Sequence, residues 1–135
     1  MKKLFVCIFV VVLLFSPLLW SQNLSELQRK ANAGDATSQY ELGIRYYNGQ
    51  DVLKNTTTAK MWMEKAARQG NTEAEYAMGY LYRVGEDLPH DDAEAAEWYR
   101  KAAVKGHSKA QGELGYLYYM GSGVEQSYEN SMYWY

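Results

Sequence analysis

Few side chains in this 135-residue sequence could carry a reaction, and none is paired as a reaction requires. A hydrolytic serine needs a base within hydrogen-bond reach, and neither an S-x-x-K nor a G-x-S-x-G string occurs. The only histidines are His90 and His107. His90-Asp91-Asp92 places three metal-ligand types in a row, but consecutive residues at a helix start point in different directions, and Asp91 is placed to cap that helix. Glu94, Glu97, Arg100 and Lys101 have the spacing of a solvated helix face, where an i,i+4 pair such as Glu97–Lys101 contributes about 0.2–0.5 kcal/mol. The single cysteine, Cys7, lies near the start, so the rest of the chain has no thiolate nucleophile, disulfide or cysteine metal site. No cofactor is implied. The side chains left for function are tyrosines, 13 of them. They suit contact rather than catalysis, because Tyr offers a large ring, few torsions to freeze and a polar tip.

Charge narrows the choice of partner. The formal net charge is −2 and becomes more negative without Lys2 and Lys3, so the basic stripe that nucleic acid needs is missing. Those lysines precede an apolar run from Leu4 to Phe15, then Ser16-Pro17-Leu18-Leu19-Trp20-Ser21. This pattern predicts a signal peptide over residues 1–21. Left uncleaved, it would be a membrane anchor and the chain's one membrane contact. Either outcome puts residues 22–135 outside the cytoplasm, secreted or periplasmic.

The tyrosines are positioned by a repeat. Gly34, Gly70 and Gly106 are spaced at 36, and so are Gly43, Gly79 and Gly115. The same spacing relates Gly49, Gly85 and Gly121, the tryptophans Trp62, Trp98 and Trp134, and the tyrosines Tyr46, Tyr82 and Tyr118. Such a period signals stacked supersecondary units, with copies at about 35–70, 71–106 and an incomplete 107–135. Each copy reads as two antiparallel helices. In the second copy, helix A runs from about Thr72 to Val84 and is closed by Gly85 as a left-handed cap. Helix B runs from about Asp92 to Lys105. Asp35, Asn71 and His107 are placed to cap the A helices. Asn55, Asp91 and Ser127 are placed to cap the B helices, with Glu94 completing a capping box. Glycine inside helix A at 43, 79 and 115 costs about 1 kcal/mol relative to Ala. Close approach by helix B's Trp or by the next repeat's backbone is expected to offset it. Tyr46, Tyr82 and Tyr118 are expected in the core.

The string Ala74-Glu75-Tyr76-Ala77-Met78-Gly79-Tyr80-Leu81-Tyr82, then Gly85, Ala95-Ala96-Glu97-Trp98-Tyr99-Arg100-Lys101-Ala102-Ala103 and Gly106, resembles the Sel1-like repeat. The family pattern is A-x-x-x-L-G-x-x-Y-x-x-G, a loop, then A-x-x-W-Y-x-K-A-A-x-x-G. The likeness covers about Leu27 to Tyr135. It implies an all-α fold, a right-handed α/α solenoid of helix–turn–helix repeats related to tetratricopeptide repeats, used as an adaptor for protein contacts. The third copy departs from it: Gly112 stands where Tyr40 and Tyr76 do, and the closing K-A-A-x-x-G is absent. Some secreted members carry a cysteine pair in each repeat and have been described as β-lactamase-like, but no such cysteines are present here.

In tetratricopeptide-like stacking, residues around the L-G pair of helix A face an inner groove. These are Tyr40, Ile44 and Tyr47, then Tyr76, Tyr80 and Arg83, then Tyr116 and Tyr119. The expected function is therefore a non-enzymatic protein or peptide interaction module. A cell-wall or β-lactam hydrolase rests on family analogy alone, and the third reading is a piece of a longer array. The short last helix, ending in Met132, Tyr133, Trp134 and Tyr135, is expected either to be completed by the remainder of a longer array or to mediate self-association.

Overall fold

The computed structural model describes residues 23–85 and 87–135, and the leader read at 1–21 lies outside them. Among the described residues there are seven helices and no strand. Helix α1 covers residues 23–32. It is followed by α2 (Ala36–Asn48), α3 (Thr56–Arg68), α4 (Thr72–Val84), α5 (Asp92–Val104), α6 (Ser108–Met120) and α7 (Tyr128–Trp134). None is long and apolar enough to cross a membrane. The main helix–helix contacts join consecutive helices, as in a solenoid whose units touch only their neighbours.

Local chemistry starts each helix. Asp35, Asn71 and His107 cap α2, α4 and α6, their side chains accepting the amides of Ser38, Ala74 and Ala110 at 2.7, 2.9 and 3.1 Å. Asn55, Asp91 and Ser127 cap α3, α5 and α7. The capping box is not completed. Asp91 Oδ1 accepts from the amides of Ala93 and Glu94, while its own amide donates to the carbonyl of Tyr82 at 2.8 Å. The amides of Asn55 and Ser127 donate likewise to the carbonyls of Tyr46 and Tyr118. The repeated tyrosine thus fixes where the next helix starts through its backbone. The helix ends also differ from expectation at one position. Gly49 and Gly121 close α2 and α6 at φ 68° and 69°, but Gly85 has φ −50° and is not a left-handed cap. A Cβ there would meet the Leu81 carbonyl oxygen at 2.3 Å, so room is what requires glycine at 85.

The core is built mostly of alanines with a few large side chains between them. Ala59, Ala66, Ala74, Ala95, Ala96, Ala102 and Ala110 are fully buried with Met63, Met78, Tyr99 and Leu114. Leu27 and Ala31 of α1 form a cluster with Leu42 and Trp62, so α1 serves as the second helix of a preceding unit. Trp98 joins the cluster of Ala59, Ala66 and Ala67 with Ala74, placing it at the joint between its own repeat and the one before.

It follows that tryptophan does not fill the helix A glycines. A Cβ on Gly43 would lie 2.7 Å from Met63 Cγ, on Gly79 2.5 Å from Tyr99 Cδ1, and on Gly115 3.2 Å from the Tyr135 ring. The residue after each tryptophan, in the same repeat, takes that space. Tyr46, Tyr82 and Tyr118 are half-buried rather than core. Tyr82 packs against the clusters on both sides of it, sealing the joint between repeats. Its ring also lies 4.2 Å from Lys60 Nζ.

Candidate binding groove

Positions i, i+4 and i+7 of a helix share one face, and this geometry sets the groove. Tyr40, Ile44 and Tyr47 of α2 and Tyr76 and Tyr80 of α4 line an open pocket of about 300 Å³ floored by Met63. Tyr47 and Tyr80 meet edge to face, with ring centroids 6.5 Å apart and planes at 82°. Tyr80 is 38% exposed. Tyr40 and Tyr76 are half-buried. Loss of water, then the carboxylates of Glu73 (Tyr40) and Glu113 (Tyr76), hold their phenols above the ordinary tyrosine range. Both therefore keep their protons and can donate.

Tyr76 is fixed from two sides. Its ring stacks on His107 at 4.6 Å and 21°, and lies 5.7 Å from that of Tyr99. Because His107 Nδ1 accepts the Ala110 amide, Nε2 carries the ring proton and points to Glu73 Oε2, 3.4 Å away. The residue placed as a cap also orients a groove tyrosine.

The cleft between α4 and α6 has the same register and different chemistry. The Arg83 guanidinium lies over the Tyr116 ring at 5.0 Å and pairs with Glu113. Tyr99 occupies the place of Met63. It is fully buried, and its hydroxyl has no hydrogen-bond partner. Burial, then Glu113, pushes that phenol far up despite the opposing field of Arg83. Tyr116 is 40% exposed. Tyr119 does not line the α2–α4 pocket. It packs edge-on to Tyr128 of α7 at 5.7 Å, with Gln126 Nε2 donating to its carbonyl at 2.8 Å.

Sequence reasoning missed Met63, Tyr99 and His107 as parts of the groove. The available signal was the offset of 20 from each helix A glycine to the residue after tryptophan, which holds in all three copies. Trp62 and Trp98 lie outside the groove lining, with Lys65 and Lys101 ammonium groups 4.3 and 3.9 Å from their ring centroids. His90 stands at an exposed loop, 3.2 Å from Asp92 Oδ1. Among the described residues no three His, Cys, Asp or Glu side chains gather as metal ligands.

This geometry is found in known proteins. The profile of the Sel1 repeat matches residues 36–71, 72–107 and 108–135, one residue later than the copies read from the glycines. The secretory immunoglobulin A-binding protein EsiB of Escherichia coli O6:H1 is 42% identical over 50 residues, which are 37% of this chain and 10% of EsiB. A protective antigen of uropathogenic Escherichia coli strains, with a Sel1-like repeat fold, superposes with a TM-score of 0.79 at 45% identity, over 82% of this chain and 24% of the antigen. A Sel1 repeat protein from Oxalobacter formigenes superposes with a TM-score of 0.76 at 34% identity, over 84% and 85% of the two chains. The chain thus spans about a tenth of EsiB and a quarter of the antigen. Proteins built of these repeats generally serve as scaffolds for protein–protein contact. With three repeats matched and the solenoid superposed, the chain belongs to the Sel1 repeat family.

Proposed function

We propose that this chain is a non-catalytic interaction module that binds a protein or peptide segment in the tyrosine-lined groove of α2, α4 and α6. The observation that carries the reading is the open α2–α4 pocket, in which five stripe residues from two repeats converge on a Met63 floor. Half-exposed rings with protonated hydroxyls combine apolar area with hydrogen-bond donors, the composition of binding hot spots. Action outside the cytoplasm is part of the proposal. It is supported by the leader pattern in the sequence and by likeness to a protein described as secretory immunoglobulin A-binding and to a protective antigen. The test is capture from the exported fraction of the source cells with immobilised protein, repeated with Tyr47→Ala/Tyr80→Ala. The reading expects a partner retained by the parent chain and lost from the variant. Equal retention by both would move binding away from the groove.

Self-association through α7 is a second reading, favoured by one observation. Met132 and Tyr133 of α7 and Tyr135 just after it are 79%, 77% and 77% exposed, side by side as apolar surface. Sedimentation across a concentration series tests it: a monomer at every concentration removes it.

A further inference from the structure

Resting on the groove reading above, we propose that the groove recognises an extended peptide segment by two side chains, a bulky apolar one in the α2–α4 pocket and an acidic one about three residues away in the α4–α6 cleft. The two clefts are equivalent in register, so their differences carry the specificity. Where the first has Tyr47, the second has Arg83. Where the first has Tyr40 and Tyr76, the second has Tyr76 and Gly112, and a Cβ on Gly112 would meet nothing within 4 Å. This notch lies on the α6 face between Lys109 and Tyr116.

The second cleft has more donors than acceptors. Lys109 is exposed and has no carboxylate partner among the described residues. Arg83 gives Nη1 to Glu113 and has further N–H groups to offer. The Tyr99 hydroxyl is sealed beneath this cleft, so the donors that face an incoming group are those of Lys109 and Arg83. Glu113 is the one carboxylate in contact with Arg83, and Glu73 lies toward His107 instead. An incoming carboxylate supplies the missing acceptor, whereas an incoming ammonium would add a third cation. With the step between successive A helices taken as roughly the 10 Å of packed neighbours, an extended chain covers it at about 3.3 Å per residue. The two anchors are therefore about three positions apart.

Fluorescence anisotropy of the full chain with labelled octapeptides decides the matter. One peptide carries Leu and Glu three positions apart, in either order, and its analogues replace Glu by Ala or Lys. The Leu/Glu peptide is expected to bind roughly tenfold more tightly than Leu/Lys, the worth of one charge-assisted hydrogen bond. Arg83→Gln, and independently the exposed Lys109→Ala, should reduce it toward the Leu/Ala value. Tyr47→Ala should weaken all three peptides. Circular dichroism of each variant checks that the fold is kept. Equal affinity for all three, or a preference for Leu/Lys, overturns the acidic anchor and leaves the groove reading standing. Failure of every Leu peptide to bind overturns both.

Discussion

Gly79 and Tyr99 form one packing unit across α4 and α5: a Cβ at 79 would lie 2.5, 2.6 and 2.9 Å from three carbons of a ring with no exposed surface. No rotamer change relieves this, because the ring is enclosed by the alanines of its own cluster. Gly79→Ala gains about 1 kcal/mol in helix propensity and loses roughly 1–3 kcal/mol to overpacking, so a lower melting temperature is expected. Gly112→Ala is the control. It is also inside a helix A but faces open space, and it should stabilise by up to about 1 kcal/mol. Urea denaturation of both variants, with Gly79→Ala/Tyr99→Met as rescue, checks the pair. A stabilised Gly79→Ala would disprove the close approach.

The repeat, the helix bounds and all six N-caps were legible in the sequence because each depends on local residue type at a fixed period. What fills the interior glycines was not. That depends on how helix B rotates against helix A, and tryptophan drew attention as the largest invariant residue. Packing instead places Trp98 at the joint with the preceding repeat and gives the inner position to Tyr99. The stripe from Tyr40 to Tyr80 was legible for the same reason as the caps, being pure helical periodicity. The Tyr119 ring meets Tyr128 of α7, and Gln126 in the loop between them donates to the Tyr119 carbonyl and the Tyr128 hydroxyl. Such partners are invisible to a pattern read along one helix.

Tyr80 and Tyr82 should separate binding from stability. Tyr82 packs against two clusters at once, yet it is half-buried. Tyr82→Ala is therefore expected to cost roughly 2–3 kcal/mol, below the 3–5 kcal/mol of a fully buried aromatic. Tyr80→Ala, at an exposed rim, should stay within about 1 kcal/mol while weakening partner capture. Thermal melts of the two variants read the difference. Equal losses would mean that both rings are packing elements and the groove has no free wall.

Alkaline pH should unfold the protein through its buried phenols. Tyr99 is held neutral by burial first and the Glu113 carboxylate second, well above the unfolded tyrosine value of 10.0. Above pH 10 the unfolded chain releases this proton and the folded chain keeps it, so stability falls as pH rises. The contribution is present in full below pH 10 and erodes above it, by at most about 1.4 kcal/mol per pH unit for this one group. Tyr99→Phe removes both the titration and an unpartnered hydroxyl. It should match or exceed the parent's stability at neutral pH by up to about 1 kcal/mol and show a shallower decline from pH 10 to 11. A Phe variant with an unchanged alkaline profile would place the titration elsewhere.

Glu75 and Lys105 should respond unequally to mutation, for a reason written in the repeat itself. In the first copy, Gln39 Nε2 donates to the Ala31 carbonyl and Gln69 Nε2 bridges to Gln39 Oε1 and the Gly34 carbonyl. In the third, Gln111 Nε2 donates to the Ala103 carbonyl. The second copy keeps the register with charged groups: Lys105 Nζ reaches Glu75 Oε1 at 2.7 Å and the Gly70 carbonyl at 3.0 Å. The Glu75 side chain is 5% exposed and its Oε2 has no partner, whereas Lys105 is 39% exposed. Lys105→Ala strands a buried carboxylate and should cost roughly 3 kcal/mol, near the lower end for a broken buried pair. Glu75→Gln frees an ammonium that can reach water, and its amide can donate to the Ala67 carbonyl as its two counterparts do. It should cost less than about 1 kcal/mol. Glu75→Gln/Lys105→Gln transplants the first copy's neutral strap, and its stability should change less than the parent's between 50 mM and 1 M salt. Urea titrations at both ionic strengths measure all three variants. A Glu75→Gln loss as large as that of Lys105→Ala would show that the ion pair, and not the amide-type strap, holds this joint together.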